Sequence, residues 1–263
     1  AKCMEYRKNS TVFANKIPML PNCVTYNDIA TYLDSKNYII GLNKENLEIK
    51  EYDFNKNAVS IITGTDINQT ENLVNPLINQ IVYKKISTLL VINATDYDIK
   101  NKFNYKYVDF DFDSIFSELM NYLDKQEEII KNSSNKNIFS NTKKLLCMII
   151  GIDQFKSSLS DENKSKFNNL FTKAKSLGTI KFIIVDSIDK IKKFEFETWY
   201  KECVNTNYGI WVGNGINDQF SIKINQKIPE MKELIPNNFC FVITRGKADY
   251  VKYVERFDIS SKN

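Results

Sequence analysis

The sequence predicts an α/β fold with a mostly parallel sheet flanked by helices and with antiparallel strands near the C-terminus. Short apolar runs alternate along the chain with segments of helical periodicity, and this alternation is typical of right-handed βαβ units. The run Leu145–Ile150 is apolar at every position, as expected of a strand buried on both faces in a parallel sheet. After Trp199 the apolar segments become short and closely spaced, which indicates antiparallel pairing at that end of the sheet.

The individual elements follow from the spacing of apolar residues. In chain order, strands are predicted at 47–52, 58–62, 88–92, 105–110, 145–150, 180–185, 208–212, 220–224, 239–244 and 250–254. The long helices between them carry apolar residues at helical spacing. Asp113 is expected to cap one helix, and Ser160 to cap another that ends at Gly178.

The composition excludes several classes of site and partner. The chain has 36 basic and 32 acidic residues, and its only arginines are Arg7, Arg245 and Arg256. Because specific readers of DNA depend on arginine for bidentate base contacts, this composition argues against nucleic acid as a partner. The chain has no histidine, so the usual general base and the commonest zinc ligand are both missing.

The cysteines and the apolar runs bear on location. The five cysteines are irregularly spaced and form no C-x-x-C pair, so we expect no metal site and a reducing compartment. No apolar run reaches the roughly 18 residues of a membrane span. We therefore expect a soluble segment without direct membrane contact.

The loop after the strand predicted at 58–62 lies where an open α/β sheet binds its ligands. It begins like the phosphate-binding pattern G-x-x-x-x-G-K-[ST], which joins a strand to a helix. Its residues are Gly64, Thr65, Asp66, Ile67, Asn68, Gln69, Thr70 and Glu71. Only the first glycine matches, because Gln69 replaces the second glycine, Thr70 the lysine and Glu71 the Ser/Thr.

These replacements predict a vestigial nucleotide-binding loop. The second glycine normally lets the backbone wrap the phosphates, and the lysine supplies the cation that reaches them. Asp66 and Glu71 instead add two carboxylates. Pro76 lies early in the following helix and is expected to delay or kink it. From the loop alone, an ordinary βα turn that never bound nucleotide is the alternative interpretation.

The strand Leu145–Ile150 gives a second test of the site. In a P-loop ATPase such a strand ends in an acidic residue that positions magnesium or water. Gly151 stands where that acid is expected, and Asp153 follows two residues later, where an aspartate is also able to cap a helix. We interpret Gly151 and Asp153 as the vestige of the acidic site that ends this strand in P-loop ATPases (the Walker B motif). We predict no catalytic residue.

Motifs spread along the chain carry a resemblance to a known family. They are IPMLP at 17–21, VTY at 24–26, IIGL at 39–42, ITG at 62–64, GIWVGNGINDQ at 209–219 and ITRGK at 243–247. In this order and spacing, over about residues 15–256, the chain resembles the C-terminal (third) ATPase-like module of EssC-type coupling proteins. These are FtsK/SpoIIIE-family motors of type VII secretion in Gram-positive bacteria.

The resemblance implies a P-loop NTPase-like (RecA/FtsK-like) fold and a domain organisation. Residues 1–36 would form a linker or strap that packs on the domain, 37–259 a degenerate FtsK/SpoIIIE-like ATPase domain, and 260–263 a tail. It further implies a long parent protein that is anchored in the membrane, carries tandem ATPase modules on the cytoplasmic side and assembles into a hexameric ring. The isolated domain is expected to be a monomer.

The resemblance also implies the partners. They are secreted WXG-type helical proteins or their chaperones, together with neighbouring ATPase modules of the same chain, and the terminal module serves substrate docking and regulation. The departures at Gln69, Thr70, Glu71 and Gly151 predict that no ATP is hydrolysed here and that no cofactor is bound, with a weakly nucleotide-binding, nucleotide-gated module as the alternative. A second alternative is an active translocase domain that binds Mg–ATP and moves protein or DNA.

Three further features have two interpretations each. Arg245 is either a finger that contacts a neighbouring module's nucleotide or part of a surface ion pair. The aromatic residues around Trp199 either pack a helix on the sheet or line a groove for a partner's amphipathic helix. The glycine- and asparagine-rich turn at 213–218 either is simple turn chemistry or contributes to binding.

Overall fold

A computed structural model of the chain describes residues 19–257, apart from 33, 101, 103, 134–138, 140 and 141. The strands are β1 (Val24–Thr25), β2 (Tyr38–Asn43), β3 (Ile49–Tyr52), β4 (Val59–Gly64), β5 (Thr88–Asn93), β6 (Lys106–Val108), β7 (Leu145–Ile150), β8 (Ile180–Ser187), β9 (Tyr208–Val212), β10 (Phe239–Thr244) and β11 (Lys247–Arg256). The α-helices are α1 (Tyr26–Ile29), α2 (Glu71–Lys84), α3 (Phe112–Asn132), α4 (Ile152–Ser157), α5 (Asp161–Leu177), α6 (Ile188–Lys192) and α7 (Thr198–Cys203). Single 3₁₀ segments lie at Ala30–Tyr32, Ile67–Thr70, Ile216–Asp218 and Pro229–Lys232.

The described residues form an 11-stranded sheet in the order β3-β2-β11-β10-β9-β4-β8-β7-β5-β6, with β1 beside β11. Pairing is parallel from β9 through β4, β8, β7 and β5 to β6, and antiparallel from β9 through β10, β11 and β2 to β3. The predicted α/β fold, with its parallel core and antiparallel C-terminal strands, is confirmed. β2 and β3 continue the sheet beyond those C-terminal strands.

The order of the central strands decides which residues meet at the carboxyl edge of the sheet. β8 lies between β4 and β7, with Gly64 opposite Ser187 and Ile150 opposite Val185. The loop at 64–71, the end of β8 and the start of α4 therefore lie side by side at one edge of the sheet.

The core has two main layers, one on each side of the sheet. The apolar stripe of α2 packs on one face, and the apolar stripes of α3 and α5 pack on the other. Each fully buried aliphatic or aromatic side chain of this kind contributes about 1.5–3 kcal/mol. Helix α5 is delimited as predicted, because the Ser160 hydroxyl accepts the N–H of Asn163 and Gly178 ends the helix at a φ of 66°.

One predicted helix cap is wrong. Helix α3 begins at Phe112, and its N-cap is Asp111, whose carboxylate accepts the N–H of Ser114 at 3.3 Å. The carboxylate of Asp113 instead accepts the N–H and the hydroxyl of Ser160 at 2.9 and 3.0 Å. A carboxylate in the first turn of α3 thus binds the start of α5, a contact that local sequence does not encode.

The strand predicted at 220–224 is also wrong. The side-chain amide of Gln219 accepts the N–H of Ile222 at 2.8 Å and donates to its carbonyl oxygen at 3.0 Å. Such local side-chain bonds compete with a strand ladder for the same backbone groups. Phe220 is exposed and Ile222 buried, so the apolar spacing reflects a loop that inserts one residue into the core.

A buried lysine holds the described part of the strap against the sheet. Lys252 is 7% exposed, and its ammonium donates to the carbonyl oxygens of Pro21 at 2.7 Å and Asn22 at 2.6 Å. The ammonium also lies 5.7 Å from the ring centre of Phe239. Because burying a charge is costly without partners, these strap carbonyls help to stabilise Lys252, and β1 beside β11 continues the attachment.

Replacing Lys252 with Met is expected to loosen residues 21–25 while the rest of the sheet stays folded. Two hydrogen bonds from a charged donor are lost, each worth about 1.5–3 kcal/mol, whereas Met keeps an apolar stem. Amide hydrogen exchange at Thr25 in β1 should accelerate by at least about tenfold. The exposed Lys247 of the same strand, replaced with Met, is the control and should leave Thr25 unchanged. Equal exchange in both variants would show that strand pairing alone holds the strap.

Candidate functional site

The loop at 64–71 is a compact turn in which three N–H groups are bonded within the turn. The carboxylate of Asp66 accepts the N–H of Asn68 at 3.0 Å, and its carbonyl oxygen accepts the N–H of Gln69 at 3.2 Å. The N–H of Glu71 donates to the carbonyl oxygen of Asn68. Phosphate-binding loops instead aim successive N–H groups at the anion. These three N–H groups already have acceptors inside the turn.

The side chain of Gln69 lies between two glycines. A Cβ atom placed on Gly64 would lie 3.3 Å from the Gln69 side-chain oxygen, and one placed on Gly213 would lie 2.4 Å from it. The hydroxyl of Thr65 donates to the same oxygen at 3.3 Å. Gly213 has a φ of 78°, so both its backbone conformation and its space require glycine. The residue at the second glycine position of the motif therefore packs against the turn after β9.

The turn at 213–218 closes over the loop at two points. Gly213 contacts Gln69, and a Cβ atom on Gly215 would lie 2.8 Å from the Thr65 methyl carbon. The indole N–H of Trp211 donates to the carbonyl oxygen of Gly213 at 2.9 Å and fixes the start of the turn. The two motifs that sequence places far apart are thus one packed unit.

Thr70, at the position of the motif lysine, points into the protein. It is 0% exposed, and its hydroxyl donates to the Ile67 carbonyl oxygen at 2.6 Å and pairs with the Tyr97 hydroxyl at 2.9 Å. Burial raises the pKa of Tyr97 well above its usual range, although the bond to Thr70 lowers it. The position offers no route for a cation to reach a ligand above the loop.

Glu71 and Pro76 belong to a continuous helix. Helix α2 begins at Glu71 and runs through Pro76, so the predicted delay of the helix start is wrong. An internal proline removes the hydrogen bond to the carbonyl of the residue four before it and crowds that carbonyl, but α2 continues through Pro76 to Lys84. The Glu71 carboxylate accepts the N–H of Asp98 at 3.4 Å, and Asn75 donates to the Asp98 carbonyl oxygen at 2.9 Å. Glu71 thus ties the loop after β5 to α2.

Gly151 and Asp153 have structural partners at the end of β7. Gly151 has a φ of 79°, and a Cβ atom there would lie 2.3 Å from the Thr95 methyl carbon, so an acidic residue does not fit without rearrangement. Asp153 lies in the first turn of α4 and not at its cap, which is Gly151. Burial raises the pKa of Asp153, but Lys193 at 2.6 Å and Lys190 at 3.3 Å bring it below its ordinary value.

Asp186 is a residue of this edge that sequence reasoning missed. It lies near the carboxyl end of β8, between the loop at 64–71 and the end of β7, and is 4% exposed. Its carboxylate accepts the N–H of Ser187 at 2.8 Å, and its carbonyl oxygen accepts the hydroxyl of Thr63 at 2.7 Å. Burial raises its pKa, and the charge of Asp153 acts in the same direction. The available signal was an aspartate directly after the apolar run of a predicted central strand.

An Asp186→Asn variant should gain stability relative to the wild type as the pH rises. Because the folded-state pKa of Asp186 is raised, the folded chain binds more protons than the unfolded chain between the ordinary and the raised pKa. Ionisation of Asp186 therefore lowers the free energy of unfolding as the pH rises through that window. Asn cannot ionise, so the variant avoids this destabilisation while keeping an acceptor for the Ser187 N–H. Urea unfolding at pH 4 and pH 7 measures the difference. A variant that loses stability relative to the wild type on going to pH 7 would contradict this assignment.

Arg245 lies at the opposite end of β9 from the loop at 64–71. It occupies the tight turn between β10 and β11 with a φ of 54°, and Thr244 pairs with Tyr208 at the start of β9. It forms no ion pair with any residue that the structure describes. Lys56 foremost lowers the pKa of the Tyr208 hydroxyl; burial opposes this, and Arg245 acts in the same direction as Lys56. Within the described residues, Arg245 therefore does not serve in a surface ion pair. Its contact with the nucleotide of a neighbouring module stays a prediction.

The aromatic cluster is core packing and not a groove. Phe194, Trp199 and Tyr200 are at most 4% exposed, and Trp199 stacks on Phe171 with ring centres 4.3 Å apart. Phe196 alone of the predicted set is exposed, at 85%. The helix that carries Trp199 thus packs against α5 and the sheet.

An open groove lies beside α2. It has a volume of about 1030 Å³ and runs between the outer side of α2 and the segments at 237–238 and 253–257. Asparagines dominate its lining: Asn72, Asn75, Asn79, Asn237 and Asn238. The Asn75 amide is already bonded to the Glu71 and Asp98 carbonyls and to the Lys100 N–H. Asn72 and Asn237 are exposed, and side-chain amides both donate and accept hydrogen bonds.

Solved structures match the chain, whereas no family model and no curated protein does. The cytoplasmic domain of EssC aligns with 97% of the chain at 12% identity and a TM-score of 0.74, and 51% of that protein is covered. EssC (ATPases 2 and 3) from Geobacillus thermodenitrificans aligns with 97% at 12% identity and a TM-score of 0.72, with 49% of it covered. EccC (ATPases 2 and 3) from Thermomonospora curvata, in complex with a signal sequence peptide, aligns with 93% at 16% identity and a TM-score of 0.64, with 45% of it covered.

The chain spans about half the length of these solved relatives. No helix in the described part of the chain is both long and apolar enough to cross a membrane. Identities this low establish the fold and not the activity. The resemblance predicted from the sequence is confirmed at that level: this chain has the P-loop ATPase fold of the cytoplasmic modules of EssC and of the type VII secretion ATPase EccC.

Proposed function

We propose that this chain is a non-catalytic module of a type VII secretion motor that recognises export substrates and regulates their transport. The observation that carries the proposal is the position of the Gln69 side chain, which is exposed to solvent and lies between Gly64 and Gly213. The lysine position is occupied by the buried Thr70. A nucleotide bound here would have to displace the Gln69 side chain. It would also meet no positive charge from position 70, where the motif has lysine.

Electrostatics points in the same direction. Asp66 and Glu71 lie in and directly after the loop, and Asp186 lies at the end of the neighbouring strand. Contacts between a triphosphate and carboxylates cost on the order of several kcal/mol when partly desolvated. The residues present do not fit Mg–ATP, and we propose that the module binds no nucleotide and hydrolyses none.

The proposed setting is a longer protein. The relatives with ATPases 2 and 3 in one chain are about twice as long as this chain, which supports a parent with tandem modules. In the proposed parent the modules lie on the cytoplasmic side of the membrane, and the whole protein forms a hexameric ring, while the isolated module is a monomer.

We place substrate docking in the groove beside α2. A relative of the same fold was solved with a signal sequence peptide, and the groove presents the exposed amide groups of Asn72 and Asn237. The proposed occupants are segments of secreted WXG-type helical proteins or of their chaperones. An amphipathic or extended segment has the dimensions to lie along such a groove.

A bulky substitution in the groove tests this placement. Asn72 is exposed and lines the groove, whereas Asn68 is exposed on the loop at 64–71 and does not line it. Asn72→Trp is expected to weaken binding of a secreted helical partner by at least about tenfold, since each factor of ten corresponds to about 1.4 kcal/mol. Asn68→Trp is the matched control and should bind like the wild type. Equal affinities of both variants, or no binding by the wild type, would count against docking in the groove.

A further inference from the structure

A second polar pocket lies at the amino end of the sheet, away from the loop and the groove. It has a volume of about 470 Å³, and its lining includes Lys56, Lys175 and Lys181 together with the segment at 202–206, where α7 ends. Lys56 and Lys181 flank the starts of β4 and β8. The six residues of β4, at about 3.3 Å each, separate this end from the loop at 64–71 by roughly 17 Å.

The lining is strongly cationic. Three ammonium groups face one carboxylate, that of Glu202. Lys175 donates to the backbone carbonyl oxygen of Glu202 at 2.6 Å and not to its carboxylate, so the acid neutralises none of them by direct contact. Asn57, Asn205 and Thr206 add neutral polar side chains.

Lys181 is the least compensated charge of the pocket. It is half-buried in β8 and forms no ion pair with any residue in the described ranges. Its pKa is lowered by burial and by the positive charge of Lys144, and the charge of Asp53 opposes this. Lys56 is held 4.8 Å from the ring centre of Tyr208, and Arg245 also interacts with that tyrosine. The cationic surface therefore continues out of the pocket.

We propose that this lysine pocket binds a compact dianion of the phosphomonoester kind. Lysine ammonium groups bind phosphate as point charges, and three of them in one pocket suit the two negative charges of a phosphomonoester. The pocket volume falls in the range of about 300–1,000 Å³ that is typical of sites for small molecules, which leaves room for the organic part of the ester. Inorganic phosphate is the simplest probe of the site.

Thermal unfolding of the full chain tests the proposal. At equal pH and ionic strength, phosphate in excess over its Kd should raise Tm by about 2–4 °C relative to chloride. Equilibrium dialysis with phosphate should give one site per chain. Lys181→Met should abolish both effects, and in chloride it should be at least as stable as the wild type because it no longer buries an ammonium group. Lys192→Met, at the opposite end of β8, is the control and should keep both effects.

Three outcomes would overturn the proposal. Equal Tm values in phosphate and chloride would show that the pocket holds no phosphate. An undiminished phosphate effect in Lys181→Met would place the anion elsewhere. Stabilisation by hexaglutamate but not by phosphate would identify the surface as a contact for acidic peptides instead. None of these outcomes bears on substrate docking beside α2, because the two sites share no lining residue.

Discussion

A Thr70→Lys variant should lose about 3–5 kcal/mol of folding stability and gain no affinity for ATP. In a working P-loop the lysine at this position reaches the phosphates, so restoring it is the obvious repair. Here the side chain at 70 is fully buried and bonded to the Ile67 carbonyl and the Tyr97 hydroxyl. A lysine must therefore bury its ammonium group without a carboxylate partner or open the turn. Urea unfolding and calorimetry with Mg–ATP measure the two effects.

Thr70→Ser is the matched control for this variant. It keeps the hydroxyl and removes one methyl group, which costs about 0.8 kcal/mol. A Thr70→Lys chain as stable as Thr70→Ser and able to bind ATP would mean that the side chain at 70 reaches the ligand space. The loop would then be a P-loop that lacks only its lysine.

A Gly41→Ala variant should be destabilised by about 3 kcal/mol or more. A Cβ atom on Gly41 would lie 1.9 Å from the Lys252 carbonyl oxygen and 2.6 Å from the Tyr253 Cα atom. Both are backbone atoms of the strand that pairs with β2, and they have no rotamer with which to move away. β2 would have to separate from β11, which also carries the attachment of the strap. The expected fall in Tm is about 6–12 °C.

Gly178→Ala separates this steric effect from the general cost of losing a glycine. Gly178 has a φ of 66°, and a Cβ atom there meets nothing within 4 Å. Its expected cost is about 1–2 kcal/mol, from the left-handed conformation alone. If Gly41→Ala proves no more destabilising than Gly178→Ala, β2 does not pack on β11 as closely as described.

The parts of this structure that follow from local chemistry could be predicted from the sequence. Ser160 and Gly178 were correctly placed at the ends of α5, because a hydroxyl cap and a left-handed glycine are strong local signals. The mismatches at Gln69, Thr70 and Glu71 are readable because each position of the phosphate motif has a stated chemical role.

The parts that depend on distant contacts could not be predicted. The contact of Gln69 with Gly213 joins two loops that are adjacent only because β9 pairs with β4. Asp186 joins the site because β8 is inserted between β4 and β7. The error at 220–224 has the same origin, since a single side chain, Gln219, supplies the hydrogen bonds that a neighbouring strand would have made.

Calorimetric titration of the full chain with Mg–ATP tests most directly whether the loop at 64–71 still holds a triphosphate. With Gln69 between the two glycines and Thr70 buried, we predict no saturable heat up to millimolar nucleotide and no release of phosphate from ATP. Saturable binding at micromolar concentration, with release of phosphate from ATP, would contradict this account and identify the module as a working ATPase.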